Sequence, residues 1–222
     1  MNIKQLTGIE GAKNATGLTV IIDIMRAATV EAYAFGQGAK HIIPVATKEE
    51  AFLLKKQDPS ILLMGEEHGI KIPGFDFGNS PTEIVEVDLT GKTLVHRSTS
   101  GTQGLVNAAK ASELIFGSFV TCSAIIRYIK KSKHEEVSIV AIDGEDSIFA
   151  KYLEDSLNEK KTDKEKVKQE LYNHPGTEWF SDPKRPDFPE SDINYALDFD
   201  KFNFLCLVEK TGGSLVTSKV EM

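Results

Sequence analysis

The chain has 222 residues, a formal net charge of −7 at pH 7, 27% charged residues and 41% apolar ones. That length can bury one substantial core or two small ones, and the balance is that of an ordinary soluble globular protein. The acidic excess argues against a general nucleic-acid surface, which needs a basic stripe, and any anion site must be made locally positive by metal ions or a few arginines.

Met1–Gln5 lacks the long apolar core of a signal peptide, and no apolar run approaches the ~20 residues needed to span a bilayer. A cytoplasmic protein without a membrane partner is expected. Leu18–Ile24 is apolar nearly throughout and reads as a strand buried on both faces. Arg26–Gly36 has helical spacing, and Gly36 or Gly38 can end it. His41–Val45 is a second strand. Thr47 then reads as an N-cap, with Glu50 completing a capping box for a helix to about Lys56.

Ile61–Met64 is a third strand. The Gly- and Pro-rich stretch Gly65–Pro81 is long and irregular, as functional loops often are. Thr93–Val95 is the next strand, followed by a helix over Leu105–Ala111. Leu114–Phe116 is a short strand, Cys122–Lys131 a helix, Val137–Ile142 another strand and Asp146–Leu157 another helix. Residues 158–170 are dense in Lys, Glu, Asp and Gln, and read as a solvated helix end or a mobile excursion. Residues 173–190 carry Pro175, Pro183, Pro186 and Pro189 and read as an extended surface segment. Ser191–Leu197 is a short helix and Phe202–Val208 a last strand.

The alternation predicts a three-layer α/β/α sandwich with a mostly parallel central sheet. One continuous domain, 1–222, is expected, with a polar insertion at about 158–190. Phe199–Val208 is the simplest candidate for a core strand; as a sheet edge it would instead pair two subunits of a homo-oligomer. Cys122 and Cys206 sit in apolar surroundings without a close cysteine partner, so buried free thiols in a reducing compartment are expected.

Residues 97–104, Arg-Ser-Thr-Ser-Gly-Thr-Gln-Gly, are the most informative stretch. A buried strand ends there in hydroxyls and glycines before a helix. Such a loop can aim backbone N–H groups and hydroxyls at one oxyanion. In an open α/β sheet, ligands bind beyond the carboxyl ends of the strands. The polar groups just past the strands are Asp23 and Arg26; Glu66, Glu67 and His68; Arg97 to Thr102; Gly117 and Ser118; and Asp143, Glu145 and Asp146. Carboxylates, arginines and a hydroxyl loop together suit an anion held beside a hard divalent cation.

Each group also has a simpler role available. Asp23 can cap the next helix and pair with Arg26, Asn79-Ser80-Pro81 can cap a helix, and Glu145-Asp146 can answer a helix dipole. No HExxH, GxGxxG, P-loop or CxxC pattern is present. No base can be named beside Cys122 for thiol chemistry.

Asp23-Ile24-Met25-Arg26-Ala27-Ala28-Thr29, Gly65-Glu66 and Gly74-Phe75-Asp76-Phe77-Gly78-Asn79-Ser80-Pro81 resemble segments of the 2-phosphosulfolactate phosphatase family. Ser98-Thr99-Ser100-Gly101-Thr102, Gly117-Ser118-Phe119 and Glu145-Asp146 extend the resemblance over most of the chain. Ser98 and Ser100 stand where the family's loop usually has Thr and Asn, and Glu67 where an Arg often follows Gly-Glu. The resemblance implies a Mg²⁺-dependent phosphatase acting on 2-phospho-3-sulfolactate, a step of coenzyme M biosynthesis in methanogens.

Asp23, Arg26, Glu66 and Asp146 are therefore expected to be catalytic. Asp23, Glu145 and Asp146 are the expected metal ligands, with Glu66 a further candidate. Arg26, Thr99, Ser100, Gly101 and Thr102 should hold phosphoryl oxygens. Asn79, Ser80, Lys71 and Ser118 are candidates for the substrate's second anionic group. The nucleophile is either a metal-activated water or Asp23 itself. The DxDx(T/V) pattern of aspartyl phosphatases is absent because residue 25 is Met. Two other readings stand beside this one: a non-catalytic binder of a phosphorylated metabolite, and a nucleotide-binding or transferase protein.

Overall fold

Strand Asn2–Thr7 (β1) and helix Gly8–Asn14 (α1) open the chain in the computed structural model, which describes residues 1–222. Neither was expected from the sequence. β1 is an edge strand that pairs only with one neighbour and is mostly exposed, so it carries no apolar run. The next elements follow the pattern closely: Gly17–Ile22 (β2), Ala27–Gly36 (α2), His41–Pro44 (β3) and Lys48–Gln57 (α3). The Thr47–Glu50 capping box opens α3 as expected.

Leu62–Glu67 (β4) turns into a two-residue strand, Ile70–Lys71 (β5), and Pro81–Ile84 (α4) follows with Pro81 in its first turn. Thr93–Arg97 (β6) leads into Gly101–Asn107 (α5), which starts inside the hydroxyl loop rather than at Leu105. The chain continues through Ala111–Gly117 (β7), Cys122–Lys131 (α6), Glu136–Ala141 (β8) and Asp146–Leu157 (α7). Within the polar stretch, Lys164–Tyr172 (α8) is a helix capped by Asp163, and Pro175–Ser181 is a 3₁₀ turn. Ser191–Ala196 (α9), Phe204–Thr211 (β9) and Ser214–Glu221 (β10) complete the chain.

β9 is thus not the last strand. Gly212 and Gly213 both have positive φ, 61° and 93°, as a two-residue hairpin turn requires. The hairpin adds β10, and β9 lies between β7 and β10 rather than at an edge.

The ten strands form one mostly parallel sheet in the order β1-β8-β2-β7-β9-β10-β3-β6-β4-β5. β1, β8, β2 and β7 make one parallel block and β3, β6 and β4 another. Antiparallel β9 and β10 join the two blocks. The blocks run in opposite senses, so a flat sheet would put the ends of β2 and β8 on one edge and those of β4 and β6 on the other. Neighbouring strands rotate by roughly 20–25°, and the steps from β2 to β6 accumulate to roughly 100–125°. That rotation lets both sets of strand ends open on one cleft.

Ile21, Phe116 and Val140 of the first block share a core with Ile42, Met64 and Leu94 of the second. α2 runs through this core with nine of its ten residues buried, as a helix apolar on every side must. The other face of the first block packs beneath α6 and α7, and that of the second beneath α3. Helices therefore cover both faces of the sheet, giving the expected α/β sandwich. No helix is long and apolar enough to cross a membrane.

Candidate active site

A cleft of about 600 Å³ opens where the loops after β2, β4, β6 and β8 meet. A larger apolar groove of about 880 Å³, between α3, α5 and the β9–β10 hairpin, holds none of the candidate site residues.

The first wall is acidic. Asp23 directly follows β2 and is 4% exposed. Its Oδ1 accepts from the Ala27 N–H at 2.8 Å, so it does cap the entry to α2. Asp143 and Glu145, just past β8, open on the same space. Burial first, then the nearby Asp143, Glu145 and Glu66 charges, together push the Asp23 carboxyl up to about 8 against the opposing Ala27 bond. Burial also raises Glu145, with Asp143 adding to it. Asp146 lies behind this wall rather than on it. Its oxygens accept from the N–H groups of Ile24 at 2.7 Å and Asp143 at 2.9 Å, which ties the ends of β2 and β8 together. Even so, burial and then Asp23 raise it well above the usual carboxylate range.

The second wall is the hydroxyl loop and the β4–β5 hairpin. Glu66 Oε1 accepts from the Thr99 N–H at 2.5 Å, and its Oε2 accepts from Thr99 Oγ1 at 2.9 Å and the Gly69 N–H at 2.6 Å. Glu66 thereby staples the loop to the hairpin. The strands can approach because residue 65 is Gly, since a Cβ there would lie 1.9 Å from the Arg97 carbonyl oxygen. Ser98 and Thr102 exchange backbone-to-hydroxyl bonds at 2.9 Å in both directions, closing the first turn of α5. Gly101 fits against Asp23: a Cβ there would be 2.5 Å from Asp23 Oδ2, so the two walls touch at this point. Glu67 points away and pairs with Lys48 at 2.8 Å and Arg97 at 3.6 Å.

The Pro-rich segment forms the third wall. Gly176, Trp179, Phe180 and Phe188 line the cleft. Arg26 fastens them. Its guanidinium donates to the Asp187 carbonyl at 2.7 Å, to Asp192 Oδ2 at 2.9 Å and to the Gly69 carbonyl at 3.0 Å. The same group lies 4.9 Å from the Phe188 ring centre and 5.5 Å from that of Phe180, a cation–π arrangement. Asp192 on α9 also accepts from Ser80 Oγ at 2.7 Å and from the Thr82 hydroxyl at 2.6 Å.

The cleft therefore gathers Asp23, Arg26, Glu66, Asn79, Thr99, Ser100 and Glu145 of the expected set. Gly101, Thr102 and Asp146 stand behind it as supports. Ser80 is committed to Asp192, and Lys71 donates to the Asp76 carbonyl at 2.7 Å on an exposed hairpin. Ser118 is buried with no partner for its hydroxyl and does not reach the cleft. The sequence reading did not single out Met25, Phe180 or Phe188 as lining residues. The signal that could have found the last two is a cluster of aromatics among prolines, in a segment otherwise too polar to fold for its own sake. Both cysteines are buried free thiols, and burial raises both.

An α/β fold whose strand ends set buried carboxylates against a hydroxyl–glycine loop defines the class. The chain belongs to the 2-phosphosulpholactate phosphatase family, whose model matches residues 5–211. A protein of Carboxydothermus hydrogenoformans is 44% identical over 156 residues, 70% of this chain and 63% of that one. One of Caldanaerobacter subterraneus is 43% identical over 124 residues, 55% of this chain and 52% of that one. One of Bacillus subtilis is 32% identical over 202 residues, 88% of each. All three bear the name "Probable 2-phosphosulfolactate phosphatase". The chain spans about half to three-fifths of the length of the first two.

Proposed function

We propose that this chain hydrolyses a small phosphate monoester, 2-phospho-3-sulfolactate, to 3-sulfolactate and phosphate, with Mg²⁺ as cofactor. The observation that carries this reading is the contact between the two walls. Asp23, pushed up to about 8 by burial and neighbouring acids, lies against the first turn of the hydroxyl loop. A phosphoryl group on that loop would have the carboxylates beside it. The names borne by the relatives supply the choice of substrate.

The residues present fit a divalent cation. No three His, Cys, Asp or Glu side chains form a ready-made cage. Mg²⁺ keeps several waters and needs only one or two carboxylates. Asp23, Asp143 and Glu145 line one wall, where burial and then the Asp143 charge raise both Asp23 and Glu145, a cost of ionisation that a cation would relieve. When bound there, Mg²⁺ supplies charge neutralisation for the phosphoryl oxygens.

The chain's own groups do the rest. Ser100 and the loop N–H groups not already paired hold the phosphoryl oxygens, and the Arg26 charge at the cleft helps stabilise a loose transition state, whereas Thr99 spends both its donors on Glu66 and serves as a support. Asp143 and Glu145 stand where a carboxylate can take a proton from the attacking water. That water forms the new P–O bond as the ester P–O bond breaks, and the leaving alkoxide takes up the proton the carboxylate removed, which regenerates the carboxylate. The position two residues after Asp23 opens on the cleft as Met25, which can neither give nor take a proton. Attack by water therefore fits better than attack by Asp23. The Pro-rich wall, with Trp179, Phe180 and Phe188, excludes bulk solvent from one side.

The test is ³¹P NMR of 2-phosphosulfolactate and a panel of small phosphate esters incubated with the protein and Mg²⁺. Preferential conversion of 2-phosphosulfolactate to inorganic phosphate supports the reading. Binding of the esters without any turnover would favour a metabolite-binding protein instead. A hydroxylamine-sensitive phosphoenzyme would move the nucleophile to Asp23.

A further inference from the structure

Of Asn79, Ser80, Lys71 and Ser118, Asn79 alone faces the cleft, and something outside the cleft orients it. His96 on β6 is wholly buried. Its Nε2 lies 2.9 Å from Asn79 Oδ1, and its Nδ1 lies 2.8 Å from Oε1 of Glu31, itself wholly buried on α2. Three elements far apart in sequence thus place three polar side chains in one line. Asn79 is 6% exposed, at the end that opens on the cleft. Its Nδ2 donates to no protein group and is not among the sealed, unpartnered atoms, so it reaches the cleft.

We infer that Glu31 and His96 are positioning residues that fix the Asn79 side-chain amide with its NH₂ toward the bound phosphate. The chemistry is one of donor and acceptor. Asn79 Oδ1 can only accept, so Nε2 of His96 must carry the hydrogen. The Nδ1–Oε1 bond satisfies that condition whether its proton rests on His96 or on Glu31. With Oδ1 so engaged, the amide cannot flip, and two N–H donors face the cleft. A free amide would have to be ordered by the anion itself, at a cost to affinity. The inner end of the line is not saturated, since Glu31 Oε2 has no partner. Burying a polar atom without a partner is costly, and such a cost persists where a function needs the arrangement. This inference rests on the cleft being an oxyanion site, but not on hydrolysis.

The experiment is calorimetric titration of inorganic phosphate, with Mg²⁺ present, into the intact protein and five variants. Asn79→Asp keeps the shape and the bond to His96 but turns an oxygen toward the anion. It should weaken phosphate binding at least 100-fold while the protein stays folded. Asn79→Ala should weaken binding about 10-fold. His96→Ala should lose a similar factor although His96 cannot touch phosphate. His96→Gln, whose amide N–H can replace Nε2–H, should restore binding to within about 3-fold of wild type. The double variant Asn79→Ala/His96→Ala should bind no worse than Asn79→Ala alone. Should His96→Ala not fold, His96→Gln and Asn79→Asp still decide the matter.

Unchanged phosphate affinity in Asn79→Asp would overturn the inference, as would independent losses in the double variant. So would a wild-type protein that binds no phosphate. Phosphate release from 2-phosphosulfolactate is measured in parallel. Binding that follows the predicted order without any turnover would sink the phosphatase reading and leave the positioning line standing.

Discussion

The two walls of the cleft use the same chemical group to opposite ends. Glu66 accepts three hydrogen bonds from Thr99 and Gly69, and so works as a bracket for the hydroxyl loop. Asp23 accepts one such bond, sits among other acids, and is pushed up to about 8 by its burial. A buried carboxylate whose donors all come from the protein is part of the scaffold. One whose surroundings are other carboxylates holds a proton or awaits a cation. The structure thus separates the acids that build the site from those that would meet the ligand.

The largest expected effect is at the acidic wall. Asp23→Asn should abolish turnover, by at least about 10³-fold, because an amide neither draws in a cation nor balances charge at the phosphoryl group. It should not unfold the protein, since the substitution removes repulsion from Asp143 and Glu145. Calorimetric melting without added metal should show equal or higher stability; a large loss would make Asp23 a structural acid.

On the other wall, Glu66→Gln should cost about 1–3 kcal/mol in stability, because it exchanges an acceptor of three bonds for a weaker one. Turnover should fall about 10–100-fold as the loop loosens. Chemical denaturation and phosphate-release assays check the two numbers.

The third effect is a pH dependence with a defined sign. The Asp23 carboxyl lies near 8 when folded and near the ordinary ~4 when unfolded. Its proton is held more tightly in the folded state. Its contribution to stability is therefore complete below about pH 4 and is lost as pH rises through about 8. Metal-free protein should lose melting temperature across that window, and Asp23→Asn should flatten the slope. Added Mg²⁺ should protect more at pH 8 than at pH 5, since it competes with the proton. A slope of the opposite sign would contradict the burial argument.

The smallest effect is expected from the next residue along. Glu67→Ala removes a half-buried, water-facing partner of Lys48 and Arg97 and should leave melting temperature and turnover nearly unchanged. The contrast between Glu66 and Glu67 tests whether position in the network, rather than charge near the cleft, decides the outcome.

Most of the sheet was legible because its strands are apolar runs and its helices carry caps, as at Thr47–Glu50. Two kinds of element were not. β1 is an exposed edge strand, and α8 is polar around nearly its whole circumference, with only Leu171 buried. Such elements owe their place to neighbours rather than to their own pattern. β10 was legible in principle, since Gly212-Gly213 between two alternating runs marks a hairpin. At the site, the strand-end rule named Asp23, Glu66, Asp143 and Glu145, which the fold does bring to one cleft. It could not say that Asp146 turns behind the wall while Asp143 faces the cleft, because that depends on which way each side chain leaves its turn. Nor could it decide whether the loop around Trp179 covers the site or only packs on the surface, because Arg26 reaches across the fold to hold that segment.

The account stands or falls on phosphate release from 2-phosphosulfolactate by wild-type protein and Asp23→Asn, each with Mg²⁺ and with EDTA. It predicts Mg²⁺-dependent release by the wild type alone. Release that survives EDTA, or that survives in Asp23→Asn, would contradict the assignment of the acidic wall as the catalytic one.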